Sequence, residues 1–220
     1  MSFRVAAVAV IVIAITATVR HFWFADTLES AATKVAASLK SFKAGPLWKY
    51  EHPSERRLLS MNRAKLQRIL DEYVKPSFSG YIPVRLKKDQ MYAGATEYSA
   101  GCQFRNAQGR TTWLGVGMDV TDEGPRANCV SIIVVQTMLT RWSTTSVEDL
   151  AGMDRVRVLN TAVKNDRRLL ESLGLAGIVE PDSAGDRLIT WDEWIKQTDE
   201  LLDKGFPAGV IDPEKETVIQ

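Results

Sequence analysis

The chain opens on an uninterrupted apolar stretch, residues 5–19, VAAVAVIVIAITATV, without a charge. Leu28, Ala32, Val35, Leu39 and Phe42 then recur at alternating four- and three-residue spacing, the seam of an amphipathic helix. No Gly or Pro precedes Gly45. Stretch and seam therefore read as one helix of about 40 residues, or as two joined near Asp26–Thr27, where Thr27 is placed to cap.

Ala44-Gly45-Pro46 breaks the pattern, and Pro53-Ser54 opens the next helix with Ser54 as its cap. Leu58, Leu59, Leu66, Ile69, Leu70 and Tyr73 share one face of it, Arg56, Arg57, Arg63, Lys65 and Arg68 the other, and Pro76 ends it. Over 80–139, alternation with β-branched and aromatic residues replaces helical spacing. Strand material is expected at 81–87, then strands over 92–105, 110–120 and 128–138. Asn106-Ala107-Gln108-Gly109 turns the first hairpin and Thr121-Asp122-Glu123-Gly124-Pro125 the second, which makes a meander. From Ser143 the pattern is helical again, near 154–173 and from Thr190 to Lys204, where Gly205-Phe206-Pro207 stops it. The tail from Ala208 reads as extended.

The predicted fold class is α+β. A transmembrane helix (1–26) leads to helices packed on an antiparallel meander (27–142), then to a C-terminal helical segment with an extended tail (143–220).

Fifteen helical residues span about 22 Å, short of a hydrocarbon core of roughly 30 Å. Snorkelling Arg4 and Arg20 and the belt Phe22-Trp23-Phe24 lengthen the span. The stretch thus reads as a single-pass anchor, ahead of a cleaved signal peptide or a buried core helix. Positive charge is nearly balanced across it, and the habit of short N-termini to stay cytoplasmic favours an extracytoplasmic domain. The implied partners are the membrane itself and other subunits of a membrane complex.

Composition adds exclusions. The chain is 45% hydrophobic and 25% charged with a net charge of +1, an ordinary globular balance without a nucleic-acid signature. Its charge is uneven. Residues 30–89 carry thirteen Lys/Arg against five Asp/Glu, and residues 176–220 four against eleven. The expectation is that the acidic end folds back on the basic helices, with an anionic lipid surface as the second reading. Two cysteines exclude a disulfide-stapled scaffold and a four-cysteine zinc cluster. Pairing Arg105 with Arg110 sets Cys102 against Trp113, and pairing Val120 with Asn128 sets Cys129 against Asp119, too far apart for a disulfide. Phosphate-loop, dinucleotide and hydrolase signatures are missing, so no catalytic set and no cofactor is implied. Gly115-Val116-Gly117 reads as close strand packing. Glu97 and Asp119 are candidate neighbours on the sheet, read as solvated acids.

One segment carries recognisable chemistry. Residues 182–193 run Asp182-Ser183-Ala184-Gly185-Asp186-Arg187-Leu188-Ile189-Thr190-Trp191-Asp192-Glu193. This single loop resembles a degenerate EF-hand calcium loop. The resemblance implies a metal set of Asp182, Asp186, the Leu188 carbonyl, Thr190 and a bidentate Glu193, between helices at Leu169–Val179 and Trp191–Lys204. Ala184 stands where the pattern wants Asp or Asn, and Arg187 where it wants Gly. One oxygen of roughly six to eight is missing and a cation sits beside the site. The loop is therefore expected to act chiefly as a rigid connector, with calcium as the one possible ion.

The leading role is a membrane-anchored, non-enzymatic accessory or scaffold subunit. The alternatives are a calcium-responsive regulator using 182–193, and a small-ligand pocket between helices and sheet, loosely similar to NTF2-type folds.

Overall fold

The computed structural model describes residues 26–90, 98–180, 185–206, 211–212 and 217–218. The expected anchor lies outside the described residues except for Asp26. Among the described residues no helix is long and apolar enough to cross a membrane.

The predicted seam forms helix α1 (Leu28–Ser41). Thr27 caps it, its hydroxyl accepting the Ser30 N–H, and Glu29 adds negative charge in the first turn. Ala31, Ala32, Val35, Ala36 and Leu39 are buried. The seam packs on the protein's own sheet, chiefly on its second strand. Phe42 ends the helix in the left-handed conformation, φ 53°.

Helix α2 (Ala44–Tyr50) follows at once, so Gly45-Pro46 does not break the chain but begins a helix. A first-turn amide lacks an intrahelical acceptor, so Pro46 gives up no hydrogen bond there. Helix α3 (Pro53–Leu58) is capped by His52, not Ser54: its Nδ1 accepts the Ser54 N–H. The single helix expected over 54–75 is interrupted at Ser60, φ 47°, and restarts as α4 (Arg63–Ile69) with Asn62 as cap. A wider π turn (Leu70–Val74) leads into a last turn, Lys75–Ser77. The widening falls where Pro76 would press on the Glu72 carbonyl of a regular helix.

The sheet is the expected antiparallel meander, β1 (Tyr81–Gln90), β2 (Tyr98–Asn106), β3 (Thr111–Thr121) and β4 (Gly124–Arg126), in that order. Ala100, Cys102, Phe104, Leu114, Val116 and Met118 are buried on the α1 side. Phe104 meets Phe78 at 4.8 Å and Phe42 at 5.8 Å. The first hairpin turns where predicted, but its register differs by one residue. Asn106 pairs with Arg110 around a three-residue loop with Gly109 at φ 83°, so Arg105 lies opposite Thr111 and Cys102 opposite Leu114. The two glycines of the Gly101–Gly115 pair touch: a Cβ on Gly101 would lie 2.8 Å from Gly115 Cα. Residues 91–97, with Glu97, lie outside the described residues.

The strand expected over 128–138 is instead helix α5 (Cys129–Trp142). Val130, Ile132, Ile133, Val134 and Val135 favour strands, but the run is buried nearly all round, and such a run carries no period. Helix α5 lies against β3, which β4 covers at one end only. Gln136 Oε1 accepts the Gly115 N–H at 2.7 Å, and Ser146 Oγ the Thr111 N–H at 3.1 Å. Cys102 and Cys129 are both buried and unpaired, as expected, although Cys129 stands on a helix.

Helices α6 (Gly152–Ser172) and α7 (Trp191–Lys204) form where predicted in the C-terminal segment, and they pack together. Between them lies a small hairpin, β5 (Gly177–Glu180) with β6 (Arg187–Thr190). The helix expected over Leu169–Val179 therefore ends at Ser172. In the tail, two-residue strands β7 (Ile211–Asp212) and β8 (Thr217–Val218) pair, and the rest lies outside the described residues. One buried cluster runs from Ala31 to Trp191, joining helices, sheet and C-terminal hairpin.

Candidate functional site

The loop residues singled out by sequence have the following places. Asp182 and Ala184 lie outside the described residues. Asp186 Oδ2 accepts the Ser54 hydroxyl and stands 3.5 Å from His52 Nδ1. Leu188 is inside the hairpin, opposite Val179. Thr190 caps α7, its hydroxyl accepting the Glu193 N–H. Glu193 is ion-paired with Arg187 at 2.8 Å, and Arg187 also reaches Glu180 at 3.1 Å. Among the described residues no group of three or more His, Cys, Asp or Glu side chains is arranged to hold a metal ion. Among the described residues the acidic segment meets the basic helices at Asp186. Asp192 and Asp199 pair instead with Arg167 and Lys164 on α6.

A second cluster had no signal in the sequence. Glu51 and Glu55 flank the start of α3 and are wholly buried. Glu55 accepts the backbone N–H groups of Val130 at 2.9 Å and Ser131 at 2.6 Å, closing the amino end of α5. Glu51 has neither a donor nor a cation on its oxygens, and the Asn128 carbonyl and Arg56 Nε are likewise without partners. Burial, and then the neighbouring Glu55, pushes the Glu51 carboxyl up to about 10. Burial and Glu55 thus favour the neutral acid at Glu51. Burial and the same two carboxyls raise the Cys129 thiol well above its ordinary range. The contrast is Asp166, also buried, which receives Tyr73 Oη and Trp142 Nε1, each at 2.9 Å, and lies 3.4 Å from Arg141.

A third feature is the edge of the sheet. Among the described residues β1 is bonded to β2 alone. Among the described residues four large apolar side chains stand exposed, and three lie on this strand: Ile82 at 67%, Val84 at 48% and Leu86 at 45%. They alternate with Pro83, Arg85 and Lys87. Register slips between Pro83 and Arg85, a bulge at Val84, and runs unbroken from Arg85 to Gln90. Arg85 lies over the Trp113 ring at 6.0 Å, and Lys88 pairs with Glu29 of α1 at 3.0 Å. The sequence held a signal for this edge in Pro83, because a proline inside a strand pattern marks an edge.

Lys87, Ser99, Trp113, Gly117, Ile132 and Gln136 border a shallow cleft of about 300 Å³ on the sheet face away from α1. No family model, no curated protein and no solved structure matches the chain.

Proposed function

We propose that this protein is a non-enzymatic accessory or scaffold subunit, held at a membrane by residues 4–24 and joined to a partner chain along the outer edge of β1. The observation that carries this reading is the exposure of Ile82, Val84 and Leu86 on a ten-residue edge strand. Elsewhere the large apolar side chains are mostly buried in one continuous cluster. A strand edge offers a row of N–H and C=O groups, and exposed apolar residues on it lose water when another strand adds to it. The uncharged run 5–19 with its Arg and aromatic flanks supports the tether.

The test has two arms. Carbonate extraction of membranes should leave the full-length protein in the pellet. In mild detergent it should migrate as part of a larger assembly, and Val84→Asp with Leu86→Asp should release it at an unchanged melting temperature. Extraction into the supernatant counts against the tether. An assembly indifferent to the two substitutions counts against the edge.

A further inference from the structure

We infer that the occupant of the β1 edge is an acidic, extended segment of a partner polypeptide, laid as an added strand beside Arg85–Gln90. This rests on the docking role proposed above and names the partner's chemistry.

Three features of β1 select the occupant. The first is where a strand can sit. Pro83 has no N–H to give and the bulge at Val84 interrupts the ladder, so the first half of the edge is closed to regular pairing. From Arg85 onward the register is regular, and among the described residues the edge is open. The second is charge. This half carries Arg85, Lys87 and Lys88 against one acid of its own, Asp89, with Lys88 also paired to Glu29 of α1, and exposed Arg105 lies beside Ile82 on the next strand. Directly opposed like charges destabilise a strand pair, whereas opposite charges favour it. A basic or purely apolar strand gains nothing from these cations; one carrying Glu or Asp does. An antiparallel second copy would set one lysine, Lys87 or Lys88, against its own equivalent at the two-fold, and the test reads that occupant as a concentration-dependent dimer. The third is the apolar component. Leu86 within the open half and the bulged Val84 just before it give an incoming strand surface to bury. Lipid headgroups supply anions but not the alternating donors and acceptors that a strand edge needs.

The test uses the full-length protein in detergent with two synthetic peptides of about eight residues, one alternating valine with glutamate, the other valine with lysine. Vesicles of phosphatidylserine are the third probe. The glutamate peptide should bind and slow hydrogen exchange in β1. The double change Arg85→Glu with Lys88→Glu should weaken it about tenfold, close to 1.4 kcal/mol, and should admit the lysine peptide instead. The melting temperature of the variant should stay near that of the parent. Glutamate-peptide binding indifferent to the charge reversal, or binding without protection of β1 amides, overturns the inference. So does vesicle binding through Arg85 and Lys88 with no amide protection, or a concentration-dependent dimer that protects β1. Carbonate extraction reads the tether separately: a protein that leaves the membrane yet binds the glutamate peptide contradicts the anchor and supports this inference.

Discussion

Glu51 and Glu55 lie together in the protein interior, and only Glu55 has donors. Its carboxylate takes two backbone N–H groups from the amino end of α5, while the Glu51 oxygens receive no hydrogen bond. Two buried carboxyls side by side cannot both ionise cheaply, so Glu51 keeps its proton. Glu55 ties α3 to the first turn of α5. The neighbouring backbone does the same, with His52 N–H bonded to the Ala127 carbonyl and Ala127 N–H to that of Tyr50.

This pair sets a pH dependence of stability. An ordinary Glu carboxyl titrates near 4.5, and Glu51 is pushed up to about 10 in the fold. Between those values the folded state holds one proton more than the unfolded chain. Stability from this group is therefore complete below the lower value and falls as pH rises through the window, by about 1.4 kcal/mol per unit. Glu51→Gln keeps the shape and removes the titration. It should raise the melting temperature at pH 8 relative to the parent and flatten the slope between pH 5 and 9, as read by thermal denaturation. Parallel slopes in parent and variant would contradict the assignment.

The glycines of β2 and β3 should divide sharply. A Cβ on Gly101 meets both Gly115 Cα and the Leu114 carbonyl at 2.8 Å, and these backbone atoms have no room to move without parting the strands. Gly101→Ala should cost about 1–3 kcal/mol, measured by urea unfolding. A Cβ on Gly117 meets nothing within 4 Å, so Gly117→Ala should change stability little.

In the 182–193 loop, Arg187 already occupies the Glu193 carboxylate. Glu193→Gln should leave the melting temperature nearly the same with and without millimolar calcium. Ala184→Asp with Arg187→Gly restores a ligand and frees that carboxylate, and should create calcium affinity detectable by titration calorimetry. Micromolar calcium binding by the unaltered chain would instead favour a calcium-responsive role.

How far the sequence reveals this molecule depends on how local each signal is. The α1 seam, the Thr27 and Thr190 caps and the Asn106–Gly109 turn are set within a few residues, and they are legible. The register slip has a local cause too: the Asn106 side chain accepts the N–H groups of Gln108 and Arg110, which tightens the loop to three residues. Helix α5 was not legible, because Val130–Val135 gains its form from burial against β3 and α6. The break at Ser60 was hidden inside an apolar spacing that runs on through it. Glu51 and Glu55 read as ordinary surface acids until the chain brings Val130 and Ser131 to them from 75 and 76 residues away. The contact of His52 and Ser54 with Asp186 spans most of the chain and has no sequence pattern at all.

The decisive point is what touches β1 in the cell. A photo-activated cross-linker at position 84 of the full-length protein, with a second at exposed Arg157 on α6 as control, reads this directly. Position 84 should give one discrete adduct with a second, different polypeptide, position 157 should give none, and the adduct should vanish when Arg85 and Lys88 are reversed to Glu. No adduct at 84, or equal labelling from both positions, would contradict a partner docked on this edge.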